Sequence, residues 1–210
     1  MTEATRNIEL GRCSVEDDDA THPVVVAIGV SSDGVNALQR VLGPLSNTLK
    51  AVVLIVRHIG PAAPSLLSTV LGRVIKMPVK QAVAGEPLQP GVVYVAPPDL
   101  HFSVVDGHVG LDRGAKVSFS RPSIDVLFNS VAKMCGSRSV AVLLSGGGSD
   151  GANGLTAVRQ AGGVTIVQDP SEAAMSSMPL AAIARNGHQV AKLDDIPEML
   201  RAAVADAAGR

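Results

Sequence analysis

A chain of 210 residues is long enough for one domain with a sizeable core, and with 46% hydrophobic but only 2% aromatic residues that core is aliphatic. A formal net charge of −1, with no block of Lys or Arg, excludes an electrostatic footprint for nucleic acid. No apolar run reaches membrane-spanning length, and the two cysteines, Cys13 and Cys135, lack CxxC spacing, which points to reduced thiols in a cytosolic protein rather than a disulfide scaffold.

Residues 1–22 are polar and acidic, carry no apolar h-region of a secretory signal, and read as a disordered lead-in. Residues 23–208 read as one domain. VVVAIG (24–29) is a continuous run rich in β-branched residues, the mark of a strand buried on both faces. Asn36 to Leu42 has helical spacing, with Ala37, Leu38, Val41 and Leu42 on one face. AVVLIV (51–56) is a second buried strand, and Pro61 to Leu71 suits a helix with Leu66, Leu67, Val70 and Leu71 inward. PVKQAV, VVYVA, HFSVV and HVGLD are then short runs separated by turn signals, and Asp106-Gly107 favours a type I′ hairpin turn. This predicts antiparallel strands inserted into an otherwise parallel sheet. Ser123 caps a helix to about Met134, VAVLLS (140–145) is the third buried strand, and a helix from about Ala152 to Gln160 follows GGGSDG. VTIVQ (164–168), a helix from Pro179 toward Arg185, QVAKL and an amphipathic helix from about Ile196 complete the chain. The fold class is α/β: a doubly wound, mostly parallel sheet with an antiparallel hairpin insertion.

In such sheets ligands lie beyond the carboxyl ends of the strands. Ser31 and Ser32 follow the first buried strand, His58 the second, and Ser149 and Asp150 the third. A hydroxyl, an imidazole and a carboxylate are the groups of activated-serine acyl transfer, in which the base activates a poor nucleophile and the carboxylate orients the base. Each residue alone also has a structural reading: Ser and Asp cap helices, and a lone His is commonly a satisfied structural group. Only the coincidence of three strand ends favours the triad. The order Ser, His, Asp and the absence of GxSxG around Ser31 argue against an ordinary α/β-hydrolase. The segment Gly29 to Gly34 also resembles a phosphate cradle, but it lacks GxGxxG and a Lys-Ser/Thr ending, and Asp33 would repel a phosphate. No carboxylate or histidine cluster has metal-ligand spacing.

AIGVSSDGVNAL, VLIVRHIGP, GEPLQPGVVYVAPPDLHF, RPSIDVLFNSVA, LLSGGGSDGANGLTAVRQAGGVTIVQDP and MPLAAI, in that order, resemble the catalytic domain of the chemotaxis protein-glutamate methylesterases, the CheB family. The resemblance runs from about Pro23 to the last helix. It implies a serine carboxylesterase that hydrolyses glutamate γ-methyl esters on cytoplasmic helices of methyl-accepting chemotaxis receptors, releases methanol, and in many members deamidates receptor glutamines. It implies Ser31 as nucleophile, His58 as base and Asp150 as its orienting carboxylate, with no cofactor and no metal. The N–H groups of Ser32 and Gly147 are the candidate oxyanion donors. Arg121 is a candidate for receptor carboxylates or else a partner in a surface salt bridge, and His101 reads as structural.

Three departures stand out. The family's Ser-Thr-Gly-Gly is Ser31-Ser32-Asp33-Gly34 here, which puts a side chain and a charge beside the nucleophile, at a strain cost if φ is positive. Its Gly-Met-Gly is Gly146-Gly147-Gly148. Its usual N-terminal receiver domain finds no room in the lead-in, so the expectation is an esterase controlled otherwise. The expected substrate partner is a receptor, with no nucleic acid and no membrane insertion, in the cytoplasm. The alternative is a catalytically weakened, CheB-like binding or regulatory protein of a chemosensory system.

Overall fold

The computed structural model describes residues 23–45, 49–60 and 66–210. The predicted lead-in lies outside the described residues, as does most of the Pro61–Leu66 start of the second helix.

Nine strands and six α-helices are present among the described residues: β1 (Val24–Val30), α1 (Gly34–Leu42), β2 (Ala51–Arg57), α2 (Leu67–Leu71), β3 (Val79–Gln81), β4 (Val93–Val95), β5 (His101–Val105), β6 (His108–Asp112), α3 (Ile124–Cys135), β7 (Ser139–Leu143), α4 (Ala152–Gln160), β8 (Val164–Gln168), α5 (Ser177–Ile183), β9 (Gln189–Ala191) and α6 (Ile196–Ala208). Seven strands form one parallel sheet in the order β3-β4-β2-β1-β7-β8-β9. The order reverses at β1: the chain first builds outward through β2, then returns to place β7 on the other side. A crevice at such a reversal is where doubly wound sheets bind ligands.

The predicted hairpin exists, with Asp106 (φ 47°) and Gly107 (φ 75°) at its turn and Val105 paired to His108. It does not enter the main sheet; β5 and β6 make a separate two-stranded sheet. The runs PVKQAV and VVYVA, read from sequence with the hairpin, supply β3 and β4, both parallel members of the main sheet. Within the predicted second helix, Leu67 and Leu71 are buried one turn apart, whereas Leu66 precedes the helix and is 62% exposed.

Alternation along the strands builds two cores. Val24, Val26, Ile28 and Val30 face one side and pack with Leu38 of α1, Leu71 of α2 and Leu200 of α6. Val25 and Ala27 face the other, against Phe128 of α3, Leu155 of α4 and Met178 of α5. On this second side Gly29 is required for space. A Cβ there would come within 2.3 Å of Ile124 Cγ2. Gly151 adds a positive φ of 92°, and a Cβ there would lie 2.6 Å from the same methyl. Both glycines let the first residue of α3 press onto the central strand, which brings the N-terminus of α3 to the strand ends.

Candidate active site

β1 pairs with β2 through Val30 and Arg57, so Ser31 and His58 are the next residues on adjacent strands. The His58 N–H donates to Val30 O at 3.0 Å, and the Ser31 N–H donates to Ser145 O, beyond the end of β7, also at 3.0 Å. Three neighbouring strands are thereby tied together just where Ser31, His58 and the loop to Asp150 emerge.

His58 Nε2 lies 2.7 Å from Asp150 Oδ2, a carboxylate only 2% exposed. Asp150 also accepts from Ser123 Oγ (2.8 Å) and from the backbone N–H groups of Ile124 (2.8 Å) and Asp125 (3.0 Å). Burial by itself would raise its pKa. The hydrogen bonds from His58, Asp125, Ile124 and Ser123 outweigh that and hold the carboxyl below its usual range. An ionised carboxylate only accepts, so the facing Nε2 carries the proton and Nδ1 is left as the basic nitrogen.

The helix that receives Asp150 is shaped for it. Ser123, the N-cap of α3, accepts from the Val126 N–H at 3.4 Å and donates to Asp150, and an anion here also meets the positive end of the helix. His101 is buried; one ring nitrogen bonds Ala115 O at 2.9 Å and the other accepts from the Ser123 N–H at 3.3 Å. Both ring nitrogens are thus taken up by backbone groups. Asp125, in the first turn of α3, accepts from the Gly154 N–H of α4 at 2.8 Å. Burial pushes its carboxyl up, with the Asp150 charge adding to the rise. Sequence reading missed the reach of Ser123 to Asp150, and it missed Asp125. The one local signal was an aspartate in the first turn behind a serine cap.

The Gly-rich loop packs tightly on the serine. A Cβ on Gly146 would lie 2.9 Å from Ser31 Cβ and 2.3 Å from Met178 Sδ. The N–H groups of Ser31 and Gly146 are committed to Ser145 O and Met175 O. Asp33 sits at φ 55°, a left-handed conformation that glycine adopts freely and that strains an aspartate. Its carboxylate accepts from Asn36 Nδ2 at 3.0 Å.

Beside His58 opens a cavity of about 310 Å³, walled by Asp99, Lys116, Phe119, Arg121 and Pro122. Arg121 donates to Asp99 Oδ1 at 2.7 and 3.0 Å and to the carbonyls of Arg113 (3.2 Å) and Gly114 (2.8 Å). The salt-bridge alternative is thus formed, and the guanidinium holds the loop that walls the cavity. The Arg121 hydrogen bond in turn keeps the Asp99 pKa low.

A parallel α/β domain with a histidine–aspartate pair at its central strand ends has the form of a hydrolase. The model of the CheB methylesterase family matches residues 26–200, and the chain belongs to that family. By family it is a hydrolase of the methylesterase kind. It is 39% identical over 194 residues to a protein-glutamate methylesterase/protein-glutamine glutaminase of Cereibacter sphaeroides, covering 89% of this chain and 53% of that protein. A Leptospira interrogans relative is 36% identical over 176 residues, covering 83% of this chain and 91% of its own length. The chain therefore spans nearly the whole of one relative and about half of the other. The crystal structure of the Thermotoga maritima CheB methylesterase catalytic domain superposes with a TM-score of 0.82 at 31% identity, covering 86% of this chain and 98% of that one. No helix among the described residues is long and apolar enough to cross a membrane.

Proposed function

We propose that residues 23–208 form a serine esterase that hydrolyses glutamate γ-methyl esters on the cytoplasmic helices of chemoreceptors. The observation that carries this reading is the His58–Asp150 bond of 2.7 Å, which joins the residue after β2 to the loop after β7 on either side of β1, whose next residue is Ser31. Ser31 Oγ attacks the ester carbonyl carbon as its proton passes to His58 Nδ1. The N–H groups of Ser32 and Gly147, each preceded by a residue whose own N–H is bonded to a carbonyl, receive the oxyanion. Such a donor is worth roughly 3 kcal/mol in the transition state. His58 returns the proton to the leaving methoxide, and methanol departs. Water, deprotonated by His58, then opens the acyl-enzyme to release the glutamate and restore Ser31. With a glutamine substrate, the same steps release ammonia. Asp150 stays ionised throughout and stabilises the imidazolium.

Methanol release from methylated receptor membranes tests the reading. Wild type should release methanol, and Ser31→Ala should lower the rate at least 10³-fold, on the order seen when a triad member is lost. Equal rates would leave the alternative, a receptor-binding protein without activity, which the strained and charged Asp33 favours.

A further inference from the structure

Between β6 and α3 the chain makes a tight turn at the rim of the cavity beside His58. Val117 and Ser120 pair across it, with N–H to O distances of 3.2 and 2.9 Å in the two directions. The two central residues, Ser118 (φ 50°) and Phe119 (φ 62°), are both left-handed. Turns of this kind take Asn-Gly, because each ordinary residue held there is strained, and for a bulky one the conformation is a true outlier. Such strain persists where it serves a site. Packing does not explain it here. The chain has three phenylalanines; Phe102 and Phe128 are fully buried, whereas Phe119 is 97% exposed. The backbone is bent into an unfavourable form that holds a phenyl ring in water beside the catalytic histidine.

The same loop is basic. Its residues 113–120, RGAKVSFS, include Arg113 and Lys116 and no acid, and both cations are exposed. The helix that carries a glutamyl ester also carries glutamates already demethylated, since each turnover leaves a carboxylate. An apolar anchor beside two cations fits such an amphipathic, acidic helix.

We infer that Phe119 is the anchor by which this enzyme grips the helix bearing its ester, with Lys116 and Arg113 meeting that helix's carboxylates. The inference rests on the receptor-esterase reading. It deepens that reading by naming what recognises the protein around the scissile group. The ring inserts between apolar side chains one helical turn from the ester, so the ester enters the cavity at His58. Phe119 acts through substrate placement and moves no proton.

The test uses the full chain with methylated receptor in membrane vesicles. Phe119→Ala should raise KM about tenfold, the scale of an exposed aromatic anchor, and change kcat less than twofold. Phe119→Trp should restore most of the affinity. Phe119→Gly should raise KM equally while leaving the melting temperature at or above that of wild type, because glycine relieves the left-handed backbone. In a Ser31→Ala background, sedimentation with the vesicles should be lost on adding Phe119→Ala. An unchanged KM alongside a Ser31-dependent release of methanol overturns the inference and leaves the esterase intact. A melting temperature lowered by several degrees in Phe119→Gly overturns it by making the ring structural. A dimer that dissociates on Phe119→Ala with KM unchanged overturns it by assigning the ring to a second copy of this chain. Failure of Ser31→Ala to abolish methanol release instead sinks the esterase reading itself.

Discussion

Replacing Asp150 by asparagine tests the site and the fold together. The carboxylate accepts four hydrogen bonds, two at each oxygen: His58 Nε2 and the Ile124 N–H at Oδ2, Ser123 Oγ and the Asp125 N–H at Oδ1. An amide offers one oxygen and one NH₂. With its oxygen in the Oδ2 place, the NH₂ confronts the Asp125 N–H. With its oxygen in the Oδ1 place, the NH₂ confronts both the Ile124 N–H and His58, which must then expose a bare Nε2 and protonate Nδ1. Either way a buried N–H of the first turn of α3 is orphaned, at about 1–3 kcal/mol. Loss of the full charge at the helix N-terminus adds up to about 2 kcal/mol in a buried setting. Asp150→Asn should therefore destabilise by about 2–4 kcal/mol and lower kcat by roughly 10³–10⁴-fold through the wrong tautomer. Ser31→Ala, whose backbone bond to Ser145 survives, should stay within about 0.5 kcal/mol of wild type while losing activity. Urea denaturation at pH 7 reads the first quantity and methanol release the second. The pH dependence has a definite sign. Because Asp150 is held below the unfolded carboxylate value of about 4, its stabilisation is present above that pH and lost as pH falls through the lower folded value. Asp150→Asn should lack that acid limb. Stability equal to wild type, or an unaltered acid limb, would refute the assignment of Asp150 as the anion that caps α3.

Asp33→Asn keeps a residue that tolerates the left-handed backbone and removes a charge two residues from Ser31, on the order of 7 Å away. In a water-like dielectric that charge opposes an oxyanion by about 0.6 kcal/mol, so kcat should rise about threefold at low salt and the gain should shrink as salt is added; a rate independent of the substitution refutes the repulsion. Gly146→Ala places a methyl 2.3 Å from Met178 Sδ and 2.9 Å from Ser31 Cβ, and should cost about 1–3 kcal/mol and on the order of 10² in kcat by displacing the serine. Gly147→Ala meets only Met175 Cε at 3.4 Å and should retain activity while gaining about 0.4–1 kcal/mol from a less flexible unfolded chain. Melting temperatures and methanol release on both variants check the contrast, and the reverse ranking would contradict it.

What the sequence disclosed depended on how local its signal was. β1, β2 and β7 lie in the middle of the sheet, covered on both faces, and their aliphatic runs announce this directly, which is why Ser31 and His58 were readable as the residues after their strands and Asp150 as part of the loop after β7. β3 and β4 have three residues each, too few to show a period, so their place in the parallel sheet comes only from tertiary pairing. The turn at Ser118-Phe119 contains neither Gly nor Asn, so its left-handed backbone leaves no compositional trace. The reach of Ser123 to Asp150 spans 27 residues and exists because Gly29 and Gly151 let α3 come close.

The two buried aspartates clarify how one carboxylate is kept fit for the site. Asp150 stands just before α4 but binds the N-terminus of α3, while Asp125 belongs to α3 and binds the Gly154 N–H of α4. Each helix start is held by an acid from the other helix's segment. The exchange is unequal. Asp150 meets two N–H groups, a hydroxyl and an imidazole, which outweigh its burial and drive it down; Asp125 is driven up by burial, with the Asp150 charge adding to the rise. Environments that separate two neighbouring carboxyls in this way assign them different work. The lowered one stays ionised to lower pH than an ordinary aspartate and faces His58 Nε2. The raised one is the group that takes up a proton as pH falls, and its stability contribution runs opposite to that of Asp150: fully present below the unfolded carboxylate value and lost as pH rises through its elevated folded value. Acid titration of stability should therefore be shallower in wild type than in Asp125→Ala, where the Asp150 limb is no longer offset by its neighbour.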